Sequence, residues 1–503
     1  MKSSSDEAAP VRRPDGDPSE AALDDAAGLA QWLHARSETS TTGDLAASRL
    51  GKASWALYES ARDPFVLLIT IYLFAPYFTN IVIGDGVKGQ ALLGEIQAYS
   101  GILIGLLAPF LGAVADKGGR RKPWIALYTA ILAGSMFMLW FSMPHAAGAS
   151  LFLVCAWWAI ANVAFEFSAV FHNSMLPSIA TQRGIAGLSG LALALGNAAG
   201  IVLLLFMLIA LSLPGVVPWS FIPAHPLFGV DQAAHEPERL AGPVGAVWLL
   251  LLAIPLFLFT PDRPSANLPL TTAMREGARS VIRTIRAAFG QYRNVGMYLV
   301  ARLFFNDGMT AVLVFGGAYA SSTFHWGPIQ MLLYGIELSI FAMLGGFFGG
   351  FLDNVFGSKR AIFISIGGTT LFLLLSLTMA PDRIFWFIHY DVAAPKAWSL
   401  PFFNTWPEIV FLLIVNFIAV LITAGYANSR TMLARIAPVE RMTEFFGLYS
   451  LSGQSTSFLA TGFVSWLTVF SDNQRIGLLG EAMFLLIGLV LMFFVREERA
   501  TPV

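Results

Sequence analysis

The sequence predicts an all-α polytopic membrane protein with twelve transmembrane helices arranged as two six-helix pseudo-repeats. Three observations lead to this prediction. Of the 503 residues, 56% are hydrophobic and only 13% are charged, whereas an average soluble domain is about 25% charged. The apolar residues fall into blocks of roughly the 20 residues that a bilayer-spanning helix needs. Similar polar motifs also recur, in the same order, in the two halves of the chain.

The apolar blocks set the order of the elements. Residues 1–52 are polar and contain no apolar run, so we expect a disordered cytoplasmic tail. An N-terminal half (53–260) and a C-terminal half with a short cytoplasmic tail (294–503) lie on either side of a basic cytoplasmic loop, 261–293. The predicted spans cover residues 64–83, 94–115, 123–143, 149–176, 186–213, 243–260, 294–320, 328–352, 360–380, 406–434, 443–470 and 476–495.

The Lys and Arg residues between the spans orient the chain, because cytoplasmic loops carry an excess of them. With both termini on one side, the loops and the C-terminal tail of that side hold eighteen Lys and Arg residues, and the opposite loops hold five. We therefore expect an integral protein of the cell (inner) membrane with both termini in the cytoplasm. The single cysteine, Cys155, excludes an intramolecular disulfide.

Matching polar motifs indicate that the two halves are homologous. "GAVADKGGRRK" joins the second and third predicted spans, and "GGFLDNVFGSKR" joins the eighth and ninth. Asp116 in the first motif is matched by Asp353 in the second, and Arg62 in "SARDPF" is matched by Arg302 in "VARLFF". Parallel halves around a central cavity are typical of a large class of transporters.

The first of these motifs resembles the signature loop of the major facilitator superfamily. In that superfamily an aspartate and a cluster of Arg and Lys residues bind neighbouring helix ends and hold one access state. The resemblance implies a gating latch here, formed by Gly112, Asp116, Lys117, Gly119, Arg120, Arg121, Lys122, Asp353, Lys359 and Arg360.

Finer features resemble the vacuolar amino-acid effluxer-like (autophagy-related) branch of that superfamily. They are "SWALYES", "FHNSMLPSIA", "SGLALALGNAAG" and "NDGMTAVLVFGGAYA", and the resemblance covers about residues 53–495. One stretch departs from the branch: an acidic–aromatic pair and then Ala-Asn are expected after "WALY", and this chain has "ESARDP". The branch implies export of small neutral or zwitterionic solutes such as amino acids.

Ionisable side chains at membrane depth each cost roughly 2.5–3.5 kcal/mol on insertion scales, so each one suggests a function. Arg62 and Asp63 stand at the start of the first predicted span, where Arg62 can also pair with Glu59 at i−3. The candidates for substrate binding or proton coupling are Arg62, Asp63, Glu166, His172, Asn173, Arg302, Asn306, Asp307, Glu337 and Asn428.

Glu166 lies in mid-span with no cation nearby in the sequence. A buried carboxyl without a cation favours its protonated form, and it can exchange that proton when a cavity changes its exposure. The structural alternative is a neutral acid that hydrogen-bonds across helices. Glu337 is the corresponding candidate in the eighth span. His172 is open to two interpretations, a packing residue or a proton relay, and the histidines show no spacing typical of a metal site.

These observations favour a secondary active transporter of a small solute that works by alternating access, with proton-coupled amino-acid export as the leading case. The chain has no GxxxxGK[ST] loop and no HExxH or G-x-S-x-G motif, so we expect neither an enzyme nor a cofactor. Transport of sugars or drug-like amphiphiles and a non-transporting sensor or scaffold stay open. The expected partners are the small-molecule substrate, the lipid bilayer and protons, with no nucleic acid and no second subunit.

Overall fold

A computed structural model of the chain describes residues 39–42, 45–84, 86–144, 148–181, 183–215, 220–264, 283–326, 328–391, 395–398, 402–454, 457–471 and 473–497. The helices are α1 (Arg49–Arg62), α2 (Gly86–Gly118), α3 (Lys122–Met138), α4 (Leu151–Ile179), α5 (Ile185–Phe206), α6 (Glu236–Phe259), α7 (Arg293–Phe324), α8 (Pro328–Phe356), α9 (Ser358–Ser376), α10 (Trp406–Ile436), α11 (Met442–Gln454), α12 (Ser457–Ser471) and α13 (Gln474–Phe493). A short antiparallel hairpin, β1 (Arg383–Ile384) and β2 (Ile388–His389), lies between α9 and α10.

Nine helices in the described part of the chain are long and apolar enough to cross a bilayer. They are the third to tenth and the twelfth predicted spans. The first, second and eleventh predicted spans are helical as well, and α11 and α12 are the described parts of the eleventh. The prediction of an all-α membrane protein is therefore confirmed, and the observed helices are consistent with twelve spans.

The first span begins earlier than the sequence predicts. The prediction starts this span at residue 64, but α1 starts at Arg49. At 1.5 Å per residue, Arg62 lies about 20 Å along the helix rather than at its beginning. Ser54, Glu59, Ser60 and Arg62 of α1 are buried, so these polar side chains belong to the interior of the bundle.

Pro64, where the helix type changes, leaves one carbonyl group of α1 without its helical hydrogen bond. Pro64 has no N–H to donate to the carbonyl oxygen of Ser60. That oxygen instead accepts a hydrogen bond from the indole of Trp248 on α6, at 2.9 Å. Beyond Pro64 the chain continues as π-helical turns at Phe65–Tyr72 and Phe78–Val82. Trp248 thus holds α1 against α6 at the point where its regular pattern ends.

The end of the predicted disordered tail is ordered in the structure, which corrects the boundary at residue 52. Residues 1–38 lie outside the described residues. The segment before α1 is held against the end of α4 and the turn that follows it. Its bonds run from Thr41 N to Ala180 O (3.0 Å), from Ala47 N to Ile179 O (3.0 Å) and from Thr41 Oγ1 to Pro177 O (2.7 Å).

Two large apolar clusters hold the bundle together, and a small third one joins α7, α12 and α13. One lies within the first half, between α1 with its continuation, α3, α4, α5 and α6. The larger cluster runs through both halves and contains residues of α4 and α5 as well as of α7, α10 and α11. The interface between the halves is therefore part of one continuous core.

Candidate transport site at the junction of the two halves

The two halves meet closely at one end of the bundle, which we call the loop end because both signature loops lie there. At the loop end α2 packs on α11, and α5 packs on α8. A Cβ atom on Gly112 would lie 2.5 Å from the carbonyl oxygen of Thr443, and one on Gly346 would lie 2.6 Å from that of Gly190. Only glycine permits these two crossings, so backbone lies against backbone across the junction.

Arg430 joins the two halves. It lies on α10 of the second half, is 4% exposed, and donates all of its hydrogen bonds to the first half. The acceptors are Glu59 Oε1 (2.8 Å), Asn173 Oδ1 (3.0 Å), Ser189 Oγ (3.0 Å) and Ser189 O (2.6 Å). Helices α1, α4 and α5 thus share one guanidinium group that belongs to the other half.

Glu59 is the centre of this charge network. Its side chain is buried, and its second oxygen, Oε2, accepts a bond from Arg62 Nη2 at 2.8 Å. Asp63 lies 3.4 Å from Arg62, and the ring of His172 is 3.6 Å from Glu59. Two carboxylates therefore face two guanidinium groups in a dry environment, where Coulomb attraction is strong but desolvation is costly.

Arg62 also contacts α4 directly. Its guanidinium lies 4.3 Å from the centre of the Phe165 ring, and its Nε has no hydrogen-bond partner. Glu166 is close enough to act electrostatically on both Arg62 and Asp63. No cation lies near Glu166 in the sequence, but packing of α1 on α4 brings Arg62 within electrostatic range of it.

His172 fixes α1 against α4. Its ring stacks on Trp55 with centroids 4.4 Å apart, and its Nε2 lies 2.9 Å from the carbonyl oxygen of Trp55. The indole of Trp55 in turn donates to the carbonyl oxygen of His172 at 2.9 Å. Glu59 stands one turn after Trp55, and Asn173 follows His172, so this pair presents both acceptors to Arg430.

Arg302 occupies the matching position in the second half, but its partners differ. It donates to Tyr449 O (2.6 Å), Ser452 Oγ (2.8 Å) and Asn306 Oδ1 (3.1 Å), and it lies 3.3 Å from the centre of the Tyr449 ring. In the described part of the chain it forms no ion pair. Asp307 is fully buried on the same helix. The second half therefore holds its arginine with neutral oxygens and a π face.

An acidic residue that is not among the predicted candidates caps the helix after the first signature loop. The carboxylate of Asp262, just after α6, accepts from the backbone N–H of Arg121 (3.1 Å) and of Lys122 (3.0 Å) at the start of α3. Lys122 Nζ donates to the carbonyl oxygen of Phe257 at 2.9 Å. An anion at a helix N-terminus satisfies free N–H groups and the helix dipole.

The second signature loop repeats this arrangement. Glu497, just after α13, accepts from the backbone N–H of Ser358 (2.8 Å) and of Lys359 (3.0 Å) at the start of α9. Lys359 Nζ donates to the carbonyl oxygen of Phe493 at 3.1 Å. The same set of bonds in both halves gives the pseudo-repeat a structural basis that the weak sequence matches alone do not provide.

The latch residues of the first loop have different environments. Arg121 is buried, and its Nε donates to Ser174 Oγ (2.8 Å) on α4 and to Thr443 Oγ1 (3.1 Å) on α11, so it bridges the halves. Gly119 has a φ of 81°, which favours glycine, and Arg120 is exposed. The side chains of Asp116 and Lys117 lie outside the described residues.

The latch residues of the second loop stay within their own half. Asp353 is buried and lies 2.6 Å from Arg435 at the end of α10, and it accepts a hydrogen bond from Ser358 at 2.6 Å. Arg435 also pairs with Glu497 at 2.8 Å. Arg360 is exposed. Asp353 therefore ties α8 to α10, and its role as a gating latch stays a prediction.

Two further candidates form no hydrogen bond with the charge network in the part of the chain that the structure describes. Glu337 on α8 is half-buried and accepts a hydrogen bond at 2.7 Å from Asn416 on α10, so it pairs across helices. Asn428 on α10 is buried, and its Nδ2 has no hydrogen-bond partner. The structure thus brings Arg62, Asp63, Glu166, His172 and Asn173 together and leaves Arg302, Asn306, Asp307 and Glu337 in separate groups.

From the sequence, Arg430 counts among the eighteen cations of the cytoplasmic side, and Glu59 is not among the candidate site residues. The signal for Arg430 is that it falls inside the predicted tenth span, 406–434, where a charge is costly. In the structure it lies six residues before the end of α10, or about 9 Å into the helix. Ser189 carries no sequence signal, because its role depends on a helix crossing.

The sequence of this chain is similar to those of known transport proteins. The chain is 20% identical over 457 residues to an uncharacterized MFS-type transporter, YxiO, of Bacillus subtilis, which covers 90% of this chain and 96% of that protein. It is 22% identical over 343 residues to autophagy-related protein 22 of Yarrowia lipolytica, covering 62% of this chain and 51% of that protein.

A crystal structure of a bacterial homologue of the iron transporter ferroportin, in an outward-facing state, has a similar fold. The TM-score is 0.59 at 12% identity, with 88% of this chain and 98% of that chain covered. The family described as vacuole effluxer Atg22-like matches residues 96–502. The chain therefore belongs to the vacuole effluxer Atg22-like family and is a transporter of the major facilitator superfamily, not an enzyme.

Proposed function

We propose that this transporter exports a small zwitterionic solute, an amino acid in the leading case, by proton-coupled alternating access. The observation that carries the proposal is Arg430, whose hydrogen bonds all cross from one half to the other at the loop end. With the loop end in the cytoplasm, as the charge distribution predicts, this contact closes the cytoplasmic side.

The Arg430–Glu59 contact has the properties of a two-state element. In the closed arrangement both groups are buried and satisfied by each other. When the halves separate at this end, water replaces the lost bonds. The desolvation penalty offsets much of the Coulomb attraction of a buried pair, so the free energies of the two states can be close. A carrier needs such a balance to cycle between access states.

The chemistry around Arg62 supports a zwitterionic solute. Arg62 Nε has no hydrogen-bond partner, and the neighbouring Asp63 side chain is 19% exposed. A guanidinium donor for a carboxylate therefore lies beside a carboxylate acceptor for an ammonium group. The family description as an effluxer supports export rather than uptake.

We assign proton coupling to one carboxyl in each half. Glu166 is half-buried beside Arg62 and Asp63, and Asp307 is fully buried on α7. A carboxyl that alternates between dry and wet surroundings can link proton binding to the access state. We expect Glu166→Gln or Asp307→Asn to abolish accumulation driven by a pH gradient. Exchange of labelled for unlabelled solute should persist, because the amide mimics the protonated acid.

The test is solute uptake into vesicles that contain the purified protein. A neutral amino acid, a hexose and an amphiphilic cation are each offered with a pH gradient of either sign and with none. Gradient-dependent accumulation of the amino acid alone, absent from protein-free vesicles, supports the proposal. Accumulation of the hexose or the amphiphile instead would show that the solute belongs to that class of compound. Binding of a compound without transport of any of the three would favour a sensor.

A further inference from the structure

Glu481 on α13 is a buried carboxyl that the network around Arg430 does not use. Its side chain is 0% exposed, and neither carboxylate oxygen has a hydrogen-bond partner. The buried carboxylates described above differ from it, since Glu59 faces two arginines and Asp353 faces Arg435. Buried polar groups in proteins are almost always satisfied, so an exception calls for an explanation.

Close packing on α7 buries one side of Glu481. A Cβ atom on Gly308 would lie 2.8 Å from Leu485 Cγ, and one on Gly488 would lie 2.6 Å from Phe305 Cβ. Leu485 is one turn from Glu481, and residues four apart share a helix face. Glu481 therefore points into the contact between α13 and α7, where the backbones are too close for water to enter easily.

Helix α12 covers α13 from another side. A Cβ atom on Gly480 would lie 3.1 Å from the Phe463 ring and 3.5 Å from Val464. The titratable residues on the helices packed against α13 are Arg293, Tyr298, Arg302, Asp307, Tyr319, Lys359 and Arg360, and α12 has none. None of these groups bonds to Glu481. Arg475, on α13 itself, donates instead to the carbonyl oxygen of Met379 at 2.9 Å.

An ionised carboxylate in such a site has neither water nor a cation to stabilise it, so the neutral acid is the favoured form. We propose that Glu481 is a further proton-binding site of the transport cycle, besides Glu166 and Asp307, and that it is protonated while α7, α12 and α13 are packed together. It loses that proton to water when α12 moves away. The step is the dissociation of one carboxylic acid into a carboxylate and a proton, with no other bond changed. This proposal rests on the proposed transport function.

The infrared carbonyl stretch of a protonated carboxyl is separate from the carboxylate bands, and it reports the proton without any transport assay. We expect the purified wild-type protein at neutral pH to show this band for Glu481, and Glu481→Gln to lose it. Glu337→Gln is the matched control, because Glu337 lies in the same half and has a hydrogen-bond donor in Asn416. Loss of the band in Glu337→Gln but not in Glu481→Gln would overturn the assignment.

Transport assays test whether the proton on Glu481 takes part in coupling solute movement to the pH gradient. Glu481→Gln should reduce gradient-driven accumulation at least tenfold and leave exchange within twofold of wild type. Glu481→Leu should do the same while its thermal midpoint equals or exceeds that of wild type, since an unpartnered polar group is replaced by an apolar one. Unchanged accumulation in both variants refutes the role in coupling even if the band is present. If the wild type accumulates nothing, the proposed function fails, and the infrared result still decides the protonation state.

Discussion

Replacing Arg430 by Gln should open the loop end. The substitution removes an ion pair and three further hydrogen bonds, all of which cross the interface between the halves. The first half keeps its own pairing, because Glu59 still faces Arg62 at 2.8 Å. A hydrogen bond that involves a charged group contributes about 1.5–3 kcal/mol. Taking about 3 kcal/mol for the whole set of bonds, and a tenfold change per 1.4 kcal/mol, the closed state becomes over a hundredfold less favoured relative to the open one.

A reporter cysteine can measure this shift. Ala186, at the start of α5, is 1% exposed and lies against Gly350 of α8 at the loop end. In a Cys155→Ser background, Ala186→Cys should react slowly with a maleimide in the closed state. Adding Arg430→Gln should raise the labelling rate by about a hundredfold, up to saturation.

The control removes a buried arginine that does not cross the interface. Arg239 is 3% exposed, and it packs on Trp140 with its guanidinium 4.2 Å from the ring centre, within the first half. Arg239→Gln should lower thermal stability without changing the labelling rate at Ala186→Cys. Equal labelling in the Arg430→Gln variant and its parent would refute the role of Arg430 in closing the loop end.

Three further predictions concern a helix crossing, the N-terminal segment and the two signature loops. Gly346→Leu should prevent closure, because even a Cβ atom would lie 2.6 Å from the Gly190 carbonyl; transport should fall at least tenfold with normal membrane insertion. Deleting residues 1–38 should leave the thermal midpoint unchanged, whereas deleting residues 1–47 should lower it by about 1 °C per kcal/mol lost. Asp116→Asn should slow transport more than Asp353→Asn at matched expression, because four cations follow Asp116 and two follow Asp353.

The fold was predictable because its signals are local. Long apolar blocks and the repeated loop motifs give the class, the order of the spans and the division into halves. The start of the first span was not predictable from hydropathy, because "RLGKASWALYESAR" reads as polar although its residues are mostly buried against protein. A helix that faces other helices rather than lipid does not need an apolar sequence.

The site was only partly predictable, since its partners come from different helices. His172, Asn173 and Arg62 could be singled out as polar residues near membrane depth. The pairing of Arg62 with Glu59 follows from their spacing and is confirmed. By contrast, Glu59–Arg430 joins residues 371 positions apart, and Ser189 acts partly through its backbone carbonyl, which every residue has.

The two carboxylates that cap α3 and α9 bear on the order in which the chain is made. Asp262 follows the last helix of the first half, and Glu497 follows the last helix of the second. The N-terminus of α3 or of α9 therefore lacks its capping carboxylate until the last helix of the same half has been synthesised. The first half can form the Asp262 cap while the second half is still being synthesised, because every residue of this cap lies at or before position 262. We therefore expect the first half to fold before the second, and the Arg430 contact can form only once α10 has been synthesised.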